Sequence, residues 1–351
     1  MLMARRRQSV TIKHVAADAG VSLQTVSRVI NNEPNVRPEM QRRVQASIDK
    51  LGYVPSLAAQ RMSGSRSYLV LALNDRDRTI ADWRERQGTD WIDQMLLGGM
   101  LKGAEYGYRF MFELVDTHSD HVERELKATI AALQPDGVIL TPPHSENPLI
   151  AELLAAEGIE FVCIGANEAH GGIIMTMDDE HAAVLATAHL ADLGHRRIAM
   201  IAGSPEYSLS NWRVSGWQAE MARRGLATDA LLAQGDFSYE SGEAAARSLL
   251  GSATPPTAII ASNDRMALAC AAVARELGLD VPRDLSLISF DNTPVVRFVD
   301  PPLTAVDQPV SATASRAMEL IIARKRGEPI PDQPVVVEAE LVVRQSTAPP
   351  K

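Results

Sequence analysis

Cysteine is nearly absent from this chain: among 351 residues there are two, Cys163 and Cys270. Two thiols cannot supply a disulfide framework or a structural zinc site. Each sits in an apolar run, Phe-Val-Cys-Ile and Leu-Ala-Cys-Ala, so both are expected to be buried packing residues. No run of about 18 apolar residues occurs, so no membrane-spanning helix is expected. The first nine residues are basic but no apolar segment follows them, so no secretory signal is read and the chain is placed in the cytoplasm. Also missing are a Gly-rich dinucleotide loop, a Walker loop, a nucleophile elbow and His or Cys at metal-ligand spacing. His170, His181, His189 and His195 group loosely but pair with no second ligand on one face, and are read as structural or surface residues. Neither an enzyme nor a metal or cofactor is expected.

What is present points to binding. With 46% apolar residues the chain can bury real cores, and its length suggests two or three domains. The net charge of −9 hides a division: residues 1–66 carry eleven Lys and Arg against four Asp and Glu, so the remainder is strongly acidic. A basic head on an acidic body is the electrostatic footprint of a small nucleic-acid-binding module. A merely solvated charged face would account for Arg5–Arg7 but not for this segregation.

Residues 10–31 give the head a shape. Ile12, Val15, Ala16 and Ala19 recur at helical spacing, Gly20 supplies a turn, and Ser22 is placed to cap a second helix. That helix buries Val26, Val29 and Ile30 and leaves Leu23, Gln24, Thr25, Ser27 and Arg28 outside. Two helices meeting at a glycine turn form a helix-turn-helix, whose second helix enters the DNA major groove. There Gln pairs with adenine and Arg with guanine, and Arg28 is the firmer base reader. A third helix is expected from Pro38 through Val44 and Ile48 to Leu51, ended by Gly52.

These residues, with Leu51-Gly52-Tyr53-Val54-Pro55 and Ala58-Ala59-Gln60-Arg61-Met62, resemble the DNA-binding headpiece of the lactose-repressor family, and the resemblance extends to about Gln345. It implies DNA contact for Thr11, Ser22, Leu23, Gln24, Thr25, Ser27, Arg28, Asn31 and Tyr53. It further implies that residues 56–66 form a hinge helix paired with its twin on DNA, with Met62 as the minor-groove lever where leucine is usual, and Ala59 beside it. His14 departs from the pattern: it stands where an acidic residue commonly completes a capping box, and a weaker cap is expected.

Beyond Ser67, apolar runs alternate with amphipathic ones. Strands are expected at Tyr68–Leu73, Arg109–Val115, Gly137–Leu140, Phe161–Ile164, Ile198–Ala202, Ala258–Ala261 and Leu285–Phe290, with helices between them. The fold expected is α/β: a small all-α helix-turn-helix headpiece (1–55), a hinge (56–66) and a bilobed periplasmic-binding-protein-like body of two parallel-sheet subdomains (67–345). Lobe 1 is assigned about 67–166 and 308–335, lobe 2 about 167–307 and 336–345. In such a body ligands bind between the lobes at carboxyl ends of strands. Asn263 and Asp291 follow strands, and Arg213 follows another by a short loop; all three are in register with effector-contacting positions of the family. A structural ion pair is the competing reading for Asp291 and Arg213. Phe237 and Trp91 are the candidate stacking aromatics, whereas Trp217 reads as core. Gly165 stands where some sugar-responsive relatives carry an acidic residue, and Asn74–Asp90 is longer and more charged than usual, either a ligand-specific insertion or a solvated loop.

The expected function is a homodimeric, sequence-specific transcriptional regulator, a repressor, which binds a near-palindromic operator in double-stranded DNA. A small effector between the lobes, a sugar or glycoside, controls it. A purine-type corepressor-dependent regulator and a plain solute-binding protein are the alternatives. No leucine heptad follows the last expected strand, so a dimer rather than a tethered tetramer is anticipated.

Overall fold

The computed structural model describes residues 10–30, 36–53, 67–86, 88, 90–168 and 170–351. The chain divides into two compact units between Ser67 and Tyr68. The first holds α1 (Ile12–Ala19), α2 (Leu23–Ile30) and α3 (Pro38–Leu51). Gly20 ends α1 at φ 62, a left-handed conformation that costs a side-chain-bearing residue energy, and Val21 N–H then reaches Ala16 O at 3.1 Å. Ser22 Oγ accepts from Thr25 N–H at 3.1 Å and so opens α2. The weak cap expected from His14 is corrected. Thr11 N–H donates to His14 Nδ1 at 3.1 Å, so a bare imidazole nitrogen does the work of the usual carboxylate. Val15, Ala16, Ala19, Val26, Val44 and Tyr53 form the core. Polar ties reinforce this small core: Asp18 accepts from Ser47 Oγ at 2.9 Å and Lys50 Nζ at 2.7 Å, and Arg43 donates to Ala19 O at 2.6 Å.

The second unit contains two sheets. The first is built from β1 (Leu69–Asp75), β2 (Arg109–Val115), β3 (Gly137–Leu140), β4 (Glu160–Ile164), β5 (Ile173–Thr176) and β11 (Val335–Val336). Its strands are parallel and lie in the order β11-β5-β4-β3-β1-β2. Parallel strands covered on both faces read as unbroken apolar runs. The period of two still sorts them: Leu71, Leu73, Val138, Leu140 and Phe161 face one core, and Val70, Ala72, Ile139, Val162 and Ile164 the other. Helices α4 (Arg76–Glu85), α5 (Asp90–Tyr106), α6 (Val122–Leu133), α7 (Pro148–Ala156) and α13 (Val310–Arg326) belong to this lobe.

The second sheet runs β12-β10-β9-β8-β6-β7, from β6 (Ile198–Ala202), β7 (Leu232–Gln234), β8 (Ala258–Ala261), β9 (Ser286–Asp291), β10 (Thr304–Asp307) and β12 (Glu340–Val342). Only β12 is antiparallel to its neighbour among these described strands. Around it pack α8 (Asp179–Asp192), α9 (Ser208–Arg223), α10 (Tyr239–Leu250), α11 (Asp264–Glu276) and the short α12 (Val295–Phe298).

Two expectations are corrected. The first passage between lobes does not fall near 165–168, because Ile173–Thr176 still pairs with β4 and buries Ile173 and Met175 in the first lobe. It falls after Thr176, where Asp178 takes φ 53 and caps α8 by accepting from His181 N–H. Gly165, at φ 71, turns the chain after β4 while its N–H donates to Met175 O at 2.8 Å. Likewise the solvated-loop reading of the charged stretch Asn74–Asp90 does not hold over Arg76–Glu85, which is helical: Asp75 accepts from Arg78 N–H at 2.9 Å and starts α4. Both thiols are buried, and burial pushes Cys163 and Cys270 up to about 12.

Candidate nucleic-acid interface and ligand cleft

The first unit presents α2 outward. Val26 is fully buried and Val29 and Ile30 pack partly against the core, which fixes the helix rotation. Leu23, Gln24 and Arg28 are exposed, and Thr25 and Ser27 lie half-buried beside them. Leu23 is 44% exposed on the outward side of α2. Ser22 and Thr25 are joined, their hydroxyl oxygens 2.9 Å apart, so both also serve the helix start. Tyr53 sets its ring in the core at 7% exposure. Asn31, Ala59 and Met62 lie outside the described residues.

In the second unit a cavity of 370 Å³ opens between the lobes. The first lobe contributes Asp75, Asp77, Arg78, Asp82, Glu85, Asp116 and His118; the second contributes Glu206, Tyr207, Asp236, Phe237, Glu240 and Arg265. Eight carboxylates thus face two guanidinium groups across the lining. Phe237 and Tyr207 form an aromatic pair 5.9 Å apart, tilted by 53°. The Arg78 guanidinium carbon lies 5.1 Å from the Phe237 ring centre and 5.4 Å from that of Tyr207. Arg265 pairs with Asp82 at 2.7 Å and His118 with Glu206 at 2.7 Å, each joining one lobe to the other.

Of the expected effector residues, Phe237 lines this cavity. Arg213, Asn263 and Asp291 lie outside its lining. Arg213 is 2% exposed; it donates to Asp179 Oδ1 at 2.8 Å and to Ser262 O at 2.5 Å, and its guanidinium covers Phe290 at 4.5 Å. Its ion-pair partner is Asp179, not Asp291, and Gln308 Nε2 donates to that same carboxylate at 2.9 Å. Asn263 spends its side chain on the fold: Nδ2 donates to Phe237 O at 2.8 Å and Oδ1 accepts from Met266 N–H at 2.9 Å. Asp291 is half-buried at the end of β9, at φ 89, and burial raises it despite the opposing charges of Arg213 and Arg78. Trp91 is corrected: it stands in the first turn of α5 and packs on the core of the first lobe.

Sequence reasoning missed Arg78, Tyr207, Asp236 and Arg265. Asp264 is 3% exposed, and burial together with the Asp291 carboxylate pushes it up to about 7. Its Oδ2 accepts from Thr293 N–H at 2.7 Å, while Oδ1 has no hydrogen-bond partner among the described residues. Ser145 Oγ, Glu146 Oε1 and Ser210 Oγ are also buried and unpartnered there. Buried polar atoms without partners are costly. The signal available in the sequence was only the position of each beside a strand end.

Comparison with known proteins agrees with this geometry. Residues 11–56 match the family described as bacterial regulatory proteins, lacI family, and residues 187–347 match a periplasmic binding protein-like domain. The transcriptional regulator CelR of Thermobifida fusca is 32% identical over 98% of this chain and 100% of its own length. The transcriptional repressor CytR of Escherichia coli K12 is 30% identical over 99% of each. A solved complex of CelR with cellobiose superposes with a TM-score of 0.71 at 30% identity, covering 96% of this chain and 99% of that one. Helix-turn-helix headpiece, two-sheet body and matches along nearly the whole length agree, and the chain belongs to the LacI family of DNA-binding transcriptional regulators.

Proposed function

We propose that the chain is a repressor that reads a near-palindromic operator through Gln24, Thr25, Ser27 and Arg28, and that a neutral sugar or glycoside in the cleft between its lobes controls it. The observation that carries the effector class is the lining, eight carboxylates and two arginines around an aromatic pair. Carboxylates accept hydrogen bonds from hydroxyls, and aromatic rings cover the apolar face of a sugar. The same wall repels phosphorylated ligands. The cellobiose bound by CelR, a relative over nearly the full length, is of the class this wall suits.

The protein acts by binding, without turning over its ligand. It works as a homodimer in the cytoplasm, because two half-sites require two headpieces. On α5, Leu97, Met100 and Leu101 are 48%, 57% and 61% exposed at helical spacing, an apolar face suited to a second copy.

Selection of random duplex DNA by the full chain tests the reading, alone and with cellobiose, other neutral glycosides, hypoxanthine or glucose 6-phosphate. Enrichment of a near-palindrome that cellobiose or a neutral glycoside alters is the expected result. A response confined to hypoxanthine or to the phosphate overturns the effector class. Failure to enrich any symmetric site overturns the operator reading.

A further inference from the structure

We propose that Arg78 is a built-in stand-in for the effector: its guanidinium occupies the aromatic seat of Tyr207 and Phe237, and a ligand that stacks there must displace it and loosen the tie between lobes. The proposal rests on the reading that the effector binds in this cleft. Helix α4 is fixed at its start, where Asp75 caps it and Asn74 Nδ2 donates to the buried Thr79 Oγ1 at 2.6 Å. Arg78 therefore leaves the first lobe from an anchored turn, and its guanidinium meets two rings of the second lobe. Each of those rings is 7% exposed, so neither has a free face for a sugar. A cation over aromatic faces is a favourable contact that a ligand must replace.

The exchange is chemically even. Asp75, Asp82, Asp236 and Asp291 all lie within the field of Arg78. When the guanidinium swings out, these carboxylates lose a cation, and the three that line the cavity, Asp75, Asp82 and Asp236, gain the hydroxyls of a polyol as donors, while the rings exchange a cation for an apolar sugar face. The ligand that satisfies both conditions is uncharged, rich in hydroxyls and flat on one side. One turn further along α4, Asp82 holds Arg265 of the second lobe, so lifting this helix strains that bridge as well. Ligand entry and release of the lobes become one event.

Two measurements on the full-length dimer test this with Arg78→Ala and Arg78→Met, the second retaining the aliphatic packing. Hydrogen exchange without ligand reads the tie: amides of 76–85 and 236–242 should exchange several-fold faster in both variants. Calorimetric titration reads the competition, with cellobiose as probe: both variants should bind it about tenfold more tightly, the size expected of a lost cation–π contact. Unchanged exchange overturns the proposal. So does weaker cellobiose binding by both variants, which would make Arg78 a ligand contact. Faster exchange with no cellobiose heat in any form upholds the tie and counts against the sugar reading instead.

Discussion

The two walls of the cleft are built differently. Behind its lining the second lobe offers groups already committed to one another: Arg213 and Asp179 form an ion pair with side chains 3% and 1% exposed, Gln308 completes it, and Asn263 caps α11. The first lobe offers α4, whose Asp82 reaches Arg265 with both side chains 25% exposed, and a loop whose His118 meets Glu206 at 71% and 42%. Solvent screens pairs of the second kind to roughly 0–1 kcal/mol, whereas a buried pair loses several kcal/mol when one partner is removed. One wall is therefore a fixed frame, and the other is held to it by contacts weak enough for a ligand to trade. The lesson is that frame and switch lie on opposite sides of one ligand site.

Breaking the frame has the largest expected effect. Arg213→Met strands Asp179 in the core, and the body should lose about 3–5 kcal/mol, read as a lowered urea midpoint in the unfolding of the full chain. Were Arg213 only a ligand contact, the midpoint would stay and effector affinity alone would fall.

A second pair of substitutions asks whether the lobes are equally rigid behind their different walls. In the first lobe, a Cβ at Gly98 of α5 would fall 1.9 Å from Ser311 O of α13; in the second, a Cβ at Gly216 of α9 would fall 2.0 Å from Glu180 O of α8. Both obstacles are backbone, so each helix pair must move apart. Gly98→Ala and Gly216→Ala should each cost about 1–3 kcal/mol, measured by the same urea titration. A cost in only one lobe would show that the helix crossings, like the walls, are unequal.

The frame was largely legible in the sequence and the switch was not. Strands such as Ile198–Ala202 and Ala258–Ala261 announce themselves because central parallel strands must be apolar on both faces, and the residues just after them fall at the cleft by topology. Asp291 was named on that ground, although it lies outside the cavity lining, whereas Phe237, which lines the cavity, follows the short β7 and was named only as an aromatic. The three-residue β7 and four-residue β5 are too short for periodicity to declare them, and missing β5 misplaced the lobe boundary. Asp179 could not be chosen as the partner of Arg213, since 34 residues and a helix crossing separate them. Arg78 looked like one charge among many in Asn74–Asp90; its place on Tyr207 and Phe237 exists only when two lobes close on each other.

The smallest expected effect concerns pH, and it sharpens the same contrast at the histidines. His144, after β3 in the first lobe, donates from Nε2 to Val115 O at 2.9 Å, and burial lowers its pKa from 6.5. His195, before β6 in the second, donates from Nε2 to Ala348 O at 2.9 Å and accepts at Nδ1 from Thr257 Oγ1 at 2.8 Å; burial lowers it likewise. A histidine depressed in the folded state contributes stability above its unfolded pKa and loses it as pH falls, because the unfolded chain takes up the proton first. The share of the urea midpoint set by these histidines should therefore be level above about pH 6.5 and decline below it, while Asp264, raised to about 7 by burial, acts in the opposite sense as pH falls. His195→Gln has no proton to take up and should flatten part of that decline, at some cost in stability at neutral pH. A decline left unchanged would mean that His195 tolerates its charge in the fold, leaving His144 and His189, which burial also lowers, as the acid-sensitive groups.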